Sequence, residues 1–587
     1  MTDGIFYFCI MLRICSILIF IVIPVISEAQ PDIGRGQSQS EPQQPEDTTK
    51  LAINVWKLSD YYSKTIPVDL DTAITKMQLY NPLFRETKSA TFTGNLGDPA
   101  VSNIYYQRFD FATSPYFLHP YRWYQKSPGE IMYVNTTKPF TEIGYSFVPG
   151  IRDKDEQTAG VIHTQNVNPK LNVGFKYDYI NARGQYKRQR NTLGQASFFG
   201  SYRGNRYEFH GNVNIGSIEN QYNGGIPDSL FVNPVDDTKN YPVNLDNASS
   251  AVKSRSMLIS QKLYFGAEKR PKDDTIGFKR EDAIAFLSHS LEGNLHKRSF
   301  IDDIGKLGST GLGTPDKSFY DTVYINDEIT IDSTYYHSFK STLLLELFEK
   351  KNYFLPVGLN VGIQNELQRY YTSTLDTTGS YLPGKSNNFF NSAFIANTYH
   401  QTGKILNWKA KGGFYFTGRK ANDYFLSGNI NTIINIKNTA FELNGAADIS
   451  KTTPDYFIEN LTSNHFIWRN SFSDIRRLKI SGSLSNRDYK FSVGIHSTNT
   501  DNFIYFDENA NAAQTSVPVS VLALYLKKRF DVWKLVWDNN IHYQITDRNA
   551  IVSIPAVTVY SPLYLDHVIK FKFTNGAINF QIGADLF

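Results

Sequence analysis

Cysteine is nearly absent: there are 2 in 587 residues, Cys9 and Cys15. Both lie in the first thirty residues, so a chain cleaved beyond them has neither disulfides nor thiolate chemistry. No sign of charge dominates, since 60 Lys and Arg face 56 Asp and Glu for a net charge of +4. That leaves no polybasic footprint for nucleic acid and no acidic tail. HExxH and GxSxG patterns are missing, and the 11 His are scattered without metal spacing, so nothing marks an enzyme or calls for a cofactor. Beyond the leader no apolar run approaches the ~20 residues of a spanning helix. A chain of this kind crosses a membrane only as a closed barrel, because lipid leaves no partner for an unpaired backbone group.

What is present begins with an export leader. Met11-Leu12-Arg13 gives a positive start, Ile14 to Ile26 is almost wholly apolar, and Ser27-Glu28-Ala29 places small residues where a signal peptidase reads. Residues 1–29 are therefore expected to be a signal peptide. Residues 30–50, rich in Gln, Pro, Ser and Glu, form a flexible polar linker. Residues 51–137 are mixed and are assigned to the periplasm or the barrel mouth, with a short helix between Val68 and Tyr80.

From residue 138 to 587 the apolar period is two. Leu171, Val173, Phe175, Tyr177 and Tyr179 alternate with polar neighbours, as do Tyr207 to Ile215, Leu355 to Ile363, and Leu478 to Ile495 across an Asn486-Arg487-Asp488 turn. Trp533, Leu535, Trp537, Ile541, Tyr543 and Ile545 share one face. The runs are about ten residues long, the reach of a tilted membrane strand. Aromatics are 14% of the chain, 41 Phe and 37 Tyr against 6 Trp. They gather at run ends, as at Tyr177 with Tyr179, Tyr370-Tyr371, and Tyr560 with Tyr564, which suits an interfacial girdle. Tight turns at Gly204-Asn205, Lys351-Asn352, Lys437-Asn438 and Asn575-Gly576 alternate with long polar connections, the pattern of periplasmic turns and outer loops. The fold class is all-β: a transmembrane, antiparallel, up-and-down β-barrel of about 16–20 strands. A soluble β array also alternates and is the rival reading.

Four stretches resemble the β-barrel porin family of Gram-negative bacteria: Thr93-Gly94-Asn95-Leu96-Gly97-Asp98-Pro99, Asn135 to Glu142, His163 to Asn166 running into Asn172-Val173-Gly174-Phe175, and Glu219 to Ile226. The likeness runs from about residue 70 to the end. It implies a cell outer membrane location and a porin, with passive diffusion of small hydrophilic solutes or ions through a water-filled lumen. A non-conducting barrel for ligand binding, adhesion or assembly is the alternative. Implied partners are outer-membrane lipid, the solutes, and the barrel-assembly machinery, which reads a terminal aromatic such as Phe587; a homo-oligomer is left open. Relatives run past the Gly583-Ala584-Asp585 pattern into another strand, so Phe587 either serves as that signal or precedes a missing strand.

The polar faces supply the candidate pore-lining residues: Lys176, Asp178, Glu208, His210, Lys409, Lys411, Glu442, Lys479, Lys490, Asp538, Lys570 and Lys572. Inward charges of both signs tune ion selectivity, or simply pair across strands. Two motifs read as coincidence. Gly379 to Ser386 matches the phosphate-loop pattern without a following helix. Asp507, Asn509 and Asn511 have calcium-loop spacing, but Ala512 and Pro518 stand where Gly and Glu are required. Lys187, Arg188 and Arg190 form a basic cluster that reads as a solvated turn, or as a contact to lipid phosphates or the pore mouth.

Overall fold

The computed structural model describes residues 52–70, 78–108, 115–149, 154–227, 232, 236–267, 280–305, 319–349, 356–384, 386–403, 405–437, 439–571 and 577–587. The leader, the linker, and the turns at Lys351-Asn352 and Asn575-Gly576 lie outside them. Among the described residues, twenty-one strand segments form a closed barrel. Sequence neighbours pair antiparallel from Phe140–Val148 through Ala577–Ala584. Tyr381–Pro383 is a short return on Gly358–Leu375. Val557–Tyr560 and Leu563–Lys570 both pair with Leu535–Thr546, as one strand interrupted at Pro562, which has no N–H to donate. Nineteen wall positions remain, within the expected range. The strands are longer than the ten residues expected on one side of the wall, reaching 20 in Ala283–Asp302, and near that length on the other, with 12 in Leu406–Thr417.

The wall is inside out relative to a soluble protein. Along Tyr207–Gln221, Val213 and Ile215 are 47% and 49% exposed, while His210, Asn212 and Asn214 are all 4% or less. Trp533, Leu535, Trp537, Tyr543 and Ile545 are likewise exposed along one outer face. No second sheet covers these faces among the described residues, so a soluble sandwich is excluded and hydrocarbon is the fitting neighbour. The girdle expectation needs correction. Tyr371 faces outward and stacks on Tyr335 at 4.2 Å between centroids, but Tyr370 and Tyr560 turn inward and are buried. Adjacent residues of a strand face opposite sides, so a Tyr-Tyr pair cannot serve one girdle.

Residues 52–137 carry a small sheet, Lys64–Pro67 beside Ile53–Ser59 beside Tyr133–Thr136. A single helical turn, Pro82–Glu86, is capped by Asn81, whose side chain accepts from the Leu83 amide at 3.0 Å. The expected helix from Val68 falls largely outside the described residues, and residues 68–70 and 78–80 are not helical. Among the described residues, the largest apolar clusters join this segment to the inner wall. Leu83, Leu96, Tyr121, Trp123 and Tyr124 pack with Ile180, Leu193, Ile218 and Val252. Val55, Trp56, Leu58 and Tyr133 pack with Phe199 and Leu258.

Candidate luminal pathway

The stretches that carried the family resemblance meet where the N-terminal segment joins the wall. Asp98 accepts from the Asn95 amide at 2.8 Å and from Asn191 Nδ2 at 2.6 Å. Asn191 Nδ2 also donates to the Leu96 carbonyl, and Asn220 Nδ2 to the Gly97 carbonyl, both at 3.0 Å. Gly97 has φ +89°, and a β-carbon there would lie 3.3 Å from Asn191, so glycine is required twice over. Asn135 and Thr136 bond to Asn166, and Asn166 in turn holds Asn172 at 2.8 Å. In the sequence these stretches carry only the family resemblance; in the structure their buried amides and carboxylate form a lock between segment and wall.

The same segment reaches other strands through charged groups. Tyr62 donates to Glu292 at 2.8 Å; burial and the Glu292 charge hold its phenol above the ordinary value, so it stays a donor. Lys64 pairs with Glu346 at 3.4 Å and lies over the Tyr399 ring. Asp60 pairs with Lys409. Tyr106 stacks on His496 at 3.9 Å, and the Tyr105 amide donates to Gln544 at 2.7 Å. Contacts to strands all round the wall place the described residues of 52–137 in the lumen.

They do not fill it evenly. From Asn191 to Ser201 every second residue of the strand is buried. Along Leu406–Thr417 and Thr439–Thr452 no residue is buried on either face. This uncovered side encloses a cavity of about 350 Å³ lined by Asn429, Asn431, Asn444, Ser481, Ser483 and His496, among others. A second cavity, about 500 Å³, lies between Arg122 and Lys126 of the segment and Glu292, Lys340, Glu366 and Lys420 of the wall. There Lys420 pairs with Glu366 at 2.7 Å and Lys340 with Glu292 at 3.6 Å.

The twelve candidate pore residues scatter among different surroundings. Lys409, Lys411 and Glu442 belong to the strands of the uncovered side; Glu442 accepts from Asn431 at 2.7 Å. Lys479 stands opposite Asp448 in the register of that side. Lys176 and Asp178 pair with each other at 2.5 Å. Glu208 and His210 point inward, yet into a closed cluster: Glu208, 2% exposed, meets His210 at 2.7 Å, Arg280 at 3.3 Å, Arg203 at 3.6 Å and Lys262 at 3.7 Å. Asp538 faces Arg529 across the strand register. Lys490 is corrected from lumen to rim: it ends the turn from Arg487 with φ +49° and pairs with Asp531 at 2.7 Å. Lys570 is exposed at a strand end, and Lys572 is outside the described residues. Glu292, Glu346 and Glu366 were missed, although each sits on a polar face of period two.

The coincidental motifs close on themselves. Asp376 Oδ1 takes the Thr378 and Ser380 amides at 2.9 and 2.8 Å, so the amides beside Gly379 face a carboxylate rather than a phosphate. Asp507 Oδ1 accepts from the Asn509 and Asn511 amides, both at 2.9 Å, which is a capped turn.

A family model described as "Putative porin" matches residues 52–586. The chain belongs to this family. It is an outer-membrane β-barrel protein, as the family and the inside-out wall agree. The porin matches no curated protein. Solved structures similar to it include the copper transporter OprC, with TM-score 0.48, 11% identity, and coverage of 73% of this chain and 65% of that one. The siderophore receptor PirA from Acinetobacter baumannii gives 0.47, 10%, 76% and 67%. A ferric enterobactin receptor from Pseudomonas aeruginosa gives 0.48, 10%, 74% and 68%. The porin thus spans less than two thirds of the copper transporter's length.

Proposed function

We propose that this porin passes small hydrophilic solutes across the outer membrane along the uncovered side of its lumen. One observation carries the reading: the luminal segment buries the wall around Asn191–Arg203 and leaves no buried residue along Leu406–Thr417 and Thr439–Thr452, beside a cavity lined by amides, hydroxyls and a few charges. Such groups replace water's hydrogen bonds for a polar solute without holding it tightly, which suits diffusion down a gradient. Proteoliposome swelling tests it. Small neutral sugars should enter at rates that fall with solute size, and wild-type vesicles no leakier than empty ones would contradict it.

A second reading rests on the far-wall contacts. Asp60–Lys409 and Tyr106–His496 tie the segment across the lumen as well as to its own side, which suits a barrel that holds a ligand rather than a standing pore. Under that reading swelling is absent in the wild type and arises when Lys409→Met releases the tie.

A further inference from the structure

The outer face carries a feature that permeation does not use. On Ser249–Ala267, Ser254 turns inward and donates to Gln125 of the luminal segment at 2.9 Å, so Lys253 and Arg255 turn outward, and both are exposed. Across the register Lys253 stands directly opposite Lys297, and Arg255 opposite Leu295. Lys297 in turn stands opposite Tyr335, over whose ring its ammonium lies at 5.1 Å. Tyr335 stands opposite Tyr371 and stacks on it. Arg369, one strand further and opposite His337, lies 5.2 Å from the Tyr371 ring centroid and donates to Ser386 at 3.1 Å.

Four cations thus sit on three of four neighbouring strands, with Tyr335 on the remaining one, a patch about 15 Å across at the ordinary strand spacing. Like charges set directly opposite, as Lys253 and Lys297 are, repel. Among the described residues no carboxylate pairs with Lys253, Arg255 or Lys297; Glu219, the acid on the adjoining strand, stands opposite Ala251. On the same strands the neighbouring outward positions Leu295, Leu343, Leu345 and Leu367 are about 40% exposed and belong to the apolar band. The patch starts at the edge of that band, where Arg255 stands opposite Leu295, and extends past it toward the connections after Asp302 and Leu375. Cations and tyrosines just past an apolar band are placed for an anionic headgroup, not for acyl chains.

We propose that Lys253, Arg255, Lys297 and Arg369 form a binding site for the phosphates of an outer-leaflet glycolipid, with Tyr335 and Tyr371 as the floor on which its sugar rests. This rests on the outer-membrane reading with the long connections facing outward. The ligand closes the charge balance that the wall leaves open at Lys253, Arg255 and Lys297, and it fixes this side of the barrel in its leaflet.

The test compares the full chain with a Lys253→Gln, Arg255→Gln, Lys297→Gln variant in phosphatidylethanolamine vesicles, with or without a bisphosphorylated diglucosamine lipid. Native mass spectrometry of the extracted barrel reads the lipid retained. Wild type should hold the phosphorylated lipid on the order of a hundredfold more tightly than the variant, with a preference that salt weakens. Inorganic phosphate alone should not displace it at equal concentration. Equal retention by both proteins overturns the site, and displacement by inorganic phosphate overturns the lipid as its source. Heat-dependent gel mobility and vesicle insertion, unchanged in the variant, keep this apart from the barrel reading: a wild type that never inserts refutes that reading instead.

Discussion

At the residue scale the porin concentrates its electrostatics in a few buried acids. Glu208 is the clearest, a single carboxylate among Arg203, Lys262, Arg280 and His210, with Tyr264 donating to it at 2.6 Å. Lys262 is only 4% exposed. Removing the acid strands that ammonium, and losing one partner of a buried pair costs about 3–5 kcal/mol. Glu208→Gln should therefore lower the temperature at which the barrel loses its fast-migrating folded form on gels. An unchanged transition would mean that the cluster is hydrated. Glu208 and His210 were legible as inward residues because side-chain direction along a strand is local. That they meet a closed cluster was not legible, because Arg280 and the covering Trp56 come from distant chain.

At the scale of elements, the strands were readable and the luminal segment was not. Alternation along Trp533 to Ile545 fixes which side chains meet lipid, whatever the rest of the chain does. Docking of the segment depends on pairs such as Asp60 with Lys409, which are 349 positions apart, and no period or composition encodes them. Nothing within the Asn-Leu-Gly-Asp-Pro stretch announces that Asn191 and Asn220, from distant strands, stand beside it. Asp98, 2% exposed, holds that turn and the wall together. Asp98→Ala leaves Asn191 and the Asn95 amide short of an acceptor, at about 1–3 kcal/mol. Limited proteolysis should then cut the segment between residues 52 and 137 faster while the strands stay protected. Equal cleavage rates would show that the apolar clusters alone seat it.

At the scale of the whole molecule, the porin is a closed wall around a lumen filled on one side. Closure pairs the backbone of described residues that contain no cysteine, and the inward polar groups are met partly by the segment and partly by water. The uneven filling is what the function rests on. Single-channel recording in planar bilayers tests it most directly, comparing the intact porin with one lacking residues 52–137. The intact protein should give steady stepwise conductance of weak ion selectivity, and loss of the segment should raise the step several-fold. An intact protein that is electrically silent, with conductance arising only after the segment is removed, would contradict a standing pathway along the uncovered wall.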